Sequence, residues 1–260
     1  MNTPNYFRTR STRGRSGAAL FLAATAAIFF AVTLTLAASA TPPNEIPAAV
    51  AAYASSLNEL LNARGRQSIE AVFAQGMQAS PSLLAVLPEL SEADYQKAQR
   101  EMTGFVVERH ETVFVRPSVD YFKQLARKKG SKADRDFFDV YGRTEPDGNG
   151  PFPAYIMQQT DEAGCTRFGG TLMINLYRGW MTFRTAYPDD YAAEAQGEID
   201  SIDTELLSGI CSCDDAAKTA AGLQAFADAL PDLPMTPKIK KRIAEIRGGK
   251  SSFRFNCKAG

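Results

Sequence analysis

The chain has 260 residues, with 29 basic and 29 acidic side chains, one histidine and four cysteines. That length suits a single domain, or a small bipartite fold, able to bury a substantial core without crosslinks. The balanced charge gives no electrostatic footprint for nucleic acid. The single histidine rules out an HExxH zinc site and leaves any Ser-His-Asp or Cys-His mechanism dependent on His110.

The first 16 residues carry Arg8, Arg10, Arg13 and Arg15 and no acid, and an uncharged run follows from Gly17 to Ala40. The run ends in Ala38-Ser39-Ala40 before Thr41-Pro42-Pro43. A basic start, an apolar middle and a small-x-small end describe a secretory signal peptide over residues 1–40. The competing reading is an uncleaved inner-membrane anchor, since about 20 apolar residues span a bilayer, with the arginines held on the cytoplasmic side. Either way residues 41–260 are expected outside the cytoplasm, in the periplasm or secreted, and any membrane contact runs through the N-terminal segment alone. Removing the leader takes away four arginines and no acid. The remaining 25 basic and 29 acidic residues give a net charge of −4.

Residues 41–260 read as a mainly α, single compact helical domain of about eight helices. Ile46 to Ala63 places Val50, Tyr53, Leu57, Leu60 and Leu61 at helical spacing. Ser68 caps a second helix through Gln78, and Ser80-Pro81 opens another, with proline in a first turn where its missing N–H costs nothing. Ser91-Glu92-Ala93-Asp94 resembles a capping box. Phe105 to Val115 fits either a short strand pair or a continued helix ending before Pro117, and the helix is preferred. Pro117 to Lys129 is helical up to Gly130, and Ser131 to Asp134 caps a helix with Phe137, Phe138, Val140 and Tyr141 to bury.

Residues 144–153 hold three prolines and two glycines, which start a long irregular loop near 144–169. Long loops inside compact domains are often functional. From Thr171 the helical signal is strongest, with Leu172, Leu176, Trp180, Phe183 and Tyr187 in one stripe. Pro188 is expected to start the next helix, whose face carries Tyr191, Ala195, Ile199, Ile202, Leu206 and Ile210. The short turn between these two helices makes them antiparallel. Asp214 or Asp215 caps a helix bearing Leu223, Phe226 and Leu230, and a last helix carries Ile239, Ile243 and Ile246. The basic cluster on it, Lys238, Lys240, Lys241, Arg242 and Arg247, reads as a solvated face. Gly248-Gly249-Lys250-Ser251 lacks the earlier glycine of a phosphate loop and reads as a helix C-cap.

The antiparallel hairpin delivers Cys165, just before its first helix, to Cys211 and Cys213, just after its second. A Cys211–Cys213 bond would strand the other two. The expected pairing is therefore one sulfur of the pair to Cys165 and the other to Cys257, pinning the C-terminal tail. Cys165–Cys211 with Cys213–Cys257 is preferred, and the swapped pairing stays open. A thiolate zinc site usually uses CxxC pairs, which this chain lacks, so no metal and no cofactor is expected.

No nucleophile motif of the GxSxG or SxxK kind occurs after the leader, and no catalytic residue is assigned. Candidate binding residues are Arg167, Asn175, Arg178 and Arg184, which follow a disulfide-pinned, glycine-containing loop and lie beside aromatics. The resulting expectation is an exported, non-catalytic cell-envelope protein that binds an envelope or secreted protein. An inhibitor or immunity-type protein against a cell-wall hydrolase or toxin would fit. The alternative is a periplasmic hydrolase acting on glycan or peptide through carboxylates, with Glu108, Glu111, Asp161 and Glu162 as candidates.

Overall fold

The computed structural model describes residues 48–62, 68–160 and 163–257. The expected signal peptide or anchor, and Asp161 and Glu162, lie outside the described residues. The described residues are mainly helical, with nine α-helices: α1 Ala48–Leu61, α2 Ile69–Val86, α3 Glu92–Glu101, α4 Val119–Lys129, α5 Lys132–Thr144, α6 Leu172–Ala186, α7 Ala192–Ser208, α8 Ala216–Ala229 and α9 Thr236–Arg247. Two small antiparallel hairpins complete the fold: β1 Phe105–Arg109 with β2 Val113–Pro117, and β3 Ile156–Gln158 with β4 Gly164–Thr166.

Several helix starts follow from side chains that accept orphan amides. Ser68 accepts from Ala71 N, Ser91 from Asp94 N, Ser118 from Tyr121 N and Asp215 from Lys218 N. Ser131 and Asp134 form a full capping box on α5. At the far end of α9, Gly249 takes a left-handed φ of 67°, and Lys250 N bonds Glu245 O at 2.9 Å, closing the helix.

Aromatic rings from five elements meet at the centre. Phe73 of α2 lies edge-on to Phe122, Phe138 and Tyr141 at 5.2–5.3 Å. Phe137 stacks on Tyr191 at 3.8 Å and meets Trp180 edge-on at 5.7 Å. Edge-to-face and stacked pairs add about 0.5–1.5 kcal/mol each beyond the area they bury. Trp180 is fully buried and donates from Nε1 to Thr144 Oγ1 at 3.0 Å. Its polar atom is therefore satisfied inside the core.

Four sequence expectations are corrected. Phe105–Val115 is not a helix. Gly104, at a φ of 84°, turns the chain after α3, and Val107 pairs with Val115 across the β1–β2 hairpin, both buried. The alternation of β-branched residues wins there over local helical spacing. Ser80-Pro81 does not open a helix, because Pro81 lies inside α2. Ser80 Oγ donates to Gly76 O at 3.0 Å, and the helix runs on past the proline to Val86. Pro188 does not start α7. Tyr191 precedes it in a left-handed conformation, with φ 49° and ψ 31°. Its amide bonds Glu70 Oε1 and its hydroxyl donates to Asp134 Oδ1, both at 2.6 Å. Last, Leu172 and Ile210 are exposed at the ends of their stripes, Ile210 by 56%.

Candidate functional site

The four cysteines form two disulfides, with the swapped pairing: Cys165–Cys213 and Cys211–Cys257. The preferred pairing is corrected by the register of the tail. Arg254 lies beside Cys211 in a parallel bridge, and Cys257 N bonds Ser212 O at 3.0 Å. That register gives Cys211 to the tail and leaves Cys213 for Cys165. On its other edge the segment 211–213 bonds β4, through Thr166 N to Cys211 O and Cys213 N to Thr166 O. The segment is thus a central strand, hydrogen-bonded on both edges and stapled on both edges. Ser212 is fully buried between the staples, and its hydroxyl bonds that of Thr219 at 2.7 Å. Gly222 of α8 lets the chain pass at Phe168: a Cβ there would stand 2.1 Å from Phe168 O.

The predicted binding residues are not brought together. Arg167, Asn175, Arg178 and Arg184 are all exposed. Arg178 donates to Ala229 O at 2.8 Å, serving the C-terminal end of α8, and Asn175 contacts Thr171 Oγ1 at 3.4 Å. Arg242 departs from the solvated face expected of its cluster. It donates to Glu205 O, Leu206 O and Gly209 O, closing the C-terminal end of α7, and its guanidinium lies 4.2 Å from the centroid of the Phe253 ring. Burial lowers its pKa to about 10. Glu108 and Glu111 do not share a helix face. Glu108 sits on β1 opposite Phe114, and Glu111 is in the turn beside exposed His110, whose Nε2 is 3.9 Å from Glu108.

A buried charge cluster that sequence reading missed lies behind the long loop. Arg116 of β2 donates to Glu145 Oε2 at 2.8 Å and to Pro146 O at 2.6 Å, and stands 3.8 Å from Asp147. Asp147 in turn accepts from Val119 N, Asp120 N and Ser118 Oγ at the start of α4. The loop beginning at residue 144 is therefore tied down as a helix cap. Burial raises the Glu145 pKa to about 7 against the pull of Arg116. Burial, and then the nearby Glu145 charge, push Glu198 of α7 well above the usual carboxylate range. One guanidinium faces three carboxyls, so the cluster favours keeping a proton at neutral pH.

A trough of about 690 Å³ lies between α1, the α2 end with its following 3-10 turn Leu87–Glu89, α3 and the start of β1. Val50, Ala54, Leu57 and Leu61 of α1 line one side, and Leu83, Leu87, Leu90 and Met102 the other. Its floor is fixed by Tyr53, whose hydroxyl donates to Thr103 O at 2.9 Å and whose ring meets Phe105 at 4.7 Å. Gly104 makes this possible: a Cβ there would stand 2.2 Å from the Tyr53 hydroxyl. Ligand sites commonly hold about 300–1,000 Å³ and are lined by apolar groups with a few polar ones. The polar lining here is Asn58, Glu101 and Thr103. No sequence signal marked it as a site, because its walls come from three separate segments, 50–61, 83–90 and 98–105.

Among the described residues no cluster of histidine, cysteine or carboxylate side chains is arranged to hold a metal ion, and no helix is long and apolar enough to cross a membrane. Comparisons with family models, with curated proteins and with solved structures find no match to this chain.

Proposed function

We propose that this is an exported, non-catalytic protein of the cell envelope that binds another macromolecule, with the trough as its binding surface. Two disulfides fit an oxidising environment outside the cytoplasm, in keeping with the leader pattern of residues 1–40. The periplasm is the proposed compartment. The observation that carries the reading is the trough: about 690 Å³ lined mostly by apolar side chains, with Leu61 42% exposed at its edge. Concentrated apolar surface left open on a folded domain marks sites of association. An inhibitor or immunity-type role against a cell-wall hydrolase or toxin agrees with the net charge of −4 after leader removal, which steers association with basic partners.

The test is photocrosslinking in intact cells from position 61, in the trough, against position 181, an exposed methionine on α6. One partner of defined mass, crosslinked in near-stoichiometric yield from 61 and not from 181, is the expected result. Equal or negligible yields at both positions would remove the trough from consideration as the binding surface.

A second reading, a carboxylate-dependent hydrolase acting on glycan or peptide, has one observation in its favour. Glu145 has a pKa of about 7 beside Glu198, and a carboxyl poised near neutrality suits general acid catalysis. Arg116 already holds Glu145 in an ion pair, which weighs against that role. Hydrolysis of cell-wall glycan or peptide by the natural protein, lost in both Glu145→Gln and Glu198→Gln while the fold persists, would establish this reading in place of the first.

A further inference from the structure

We infer that the trough accepts an amphipathic helix of a partner protein, with a cationic residue of that helix set beside Glu101. The inference rests on the binding reading above and names the chemistry of the partner. α1 buries only Tyr53, Ser56 and Leu57 and packs against α2. Ala51 and Ala54, on its open side, are exposed. Lining positions on α1 run from Val50 to Leu61, and at 1.5 Å per residue this is about 16 Å, or three helical turns. Small residues along a helix let a second helix axis come within about 8–10 Å. A three-turn helix laid in the trough would bury its own i, i+3/i+4 and i+7 side chains against Leu61, Leu87, Leu90 and Met102. It would lie against the open side of α1, whose other side packs on α2.

Charge selects among amphipathic helices. Glu101 is the one ionisable group in the lining apart from Tyr53, whose hydroxyl is committed to Thr103 O. Glu101 is exposed and forms no ion pair among the described residues. A lysine or arginine at the edge of the incoming apolar face meets this carboxylate. A partner acid there meets a like charge at the border of an apolar surface, where screening is reduced.

The experiment uses the disulfide-bonded protein and three synthetic 16-residue peptides, followed by fluorescence anisotropy. One carries leucines at i, i+4, i+7 and i+11 with flanking lysines, the second replaces those lysines with glutamates, and the third scatters the leucines. The lysine peptide is expected to bind at least tenfold more tightly than either control. Ala54→Arg, at an exposed position that leaves the fold intact, should weaken it at least tenfold, and Glu101→Lys should reverse the lysine-over-glutamate preference. Binding indifferent to Ala54→Arg, or a preference unchanged by Glu101→Lys, overturns the inference. Concentration-dependent self-association abolished by Ala54→Arg also overturns it, naming a second copy as occupant. Absence of peptide binding while position 61 still crosslinks one partner rejects the helix chemistry and leaves the binding reading standing. Absence of both rejects the two together.

Discussion

Two regions of this fold solve the same problem in opposite ways. In one, β4, the segment 211–213 and the tail form a narrow strip hydrogen-bonded along both edges and crosslinked at Cys165–Cys213 and Cys211–Cys257. Its central residue, Ser212, has no exposure, and its hydroxyl has partners in Thr219 Oγ1 and Asp214 N. In the other region, α1 is held through Tyr53, Leu57 and Ser56 while its remaining face stays open over an apolar trough. The first region uses covalent bonds on segments too short to hold themselves. The second leaves a helix under-packed, and under-packed helices form the low-stability region of a fold, where binding surfaces are drawn from. On the proposed reading, the sulfur-stapled region is scaffold and the trough is the recognition surface.

The largest effect expected from testing that contrast is at the staples. Each disulfide closes a loop of nearly 50 residues, with sequence separations of 48 and 46. Loop-closure entropy puts the contribution of one such bond at about 4 kcal/mol as an upper figure. The double substitution Cys165→Ser and Cys213→Ser should lower stability by about 2–4 kcal/mol in denaturant titration, with peptide binding at the trough retained below the transition. Loss of binding in the still-folded double variant would show that the two regions are not separable.

A smaller effect is expected from pH, and it originates in the Arg116 cluster. Glu145 faces Arg116 and Asp147 from the β2 side and the following loop, Glu198 from α7 and buried Tyr141 from its own helix. Its folded pKa, about 7, lies above its ordinary value of 4.5, so the native state holds the proton more tightly than the unfolded chain. Stability from this group is present in full below about pH 4.5 and is lost as pH rises through about 7. Glu198 is shifted the same way and adds to the loss. Denaturation midpoints should therefore fall between about pH 5 and about pH 8. Glu198→Gln should flatten that fall and leave the value at the acid end nearly unchanged. A midpoint that rises over this range would contradict the burial of the pair.

The smallest stability effect is expected at the trough itself. Ala54 is exposed, and surface substitutions away from caps and buried groups usually change stability by less than about 0.5 kcal/mol. Ala54→Arg should fall in that range by thermal melting while weakening binding of the lysine peptide at least tenfold. A loss of several kcal/mol would mean that the trough is already filled in the free protein.

Much of the helical frame was legible because its signals are local. Ser68, Ser91, Ser131 and Asp215 each cap the helix that their sequence context indicated, and the stripe Ile239, Ile243 and Ile246 is buried as its spacing requires. The errors fell where distant segments decide. The β1–β2 strands look helical until Val107 is placed opposite Val115, and the start of α7 depends on Glu70 and Asp134 gripping Tyr191 from 121 and 57 residues away. The cysteine partners were correctly limited to two arrangements, but the choice between them lay in the register of a tail more than 40 residues downstream. The trough and the Arg116 cluster were invisible for the same reason, since neither has two neighbouring residues that signal it. The residues that did stand out, Arg178 and Arg242, use their charge on the C-terminal ends of neighbouring helices.

The contrast between the two regions is tested most directly by amide hydrogen exchange on the disulfide-bonded protein, alone and with the lysine peptide. Slowest exchange is expected at Thr166, Ser212, Cys213, Arg254 and Cys257, whose amides carry the stapled strip. Fast exchange is expected along α1, with peptide-induced slowing confined to α1, α3 and the residues around Leu87. Protection of α1 equal to that of the strip in the free protein, or slowing at the strip when the peptide binds, would contradict the division between scaffold and recognition surface.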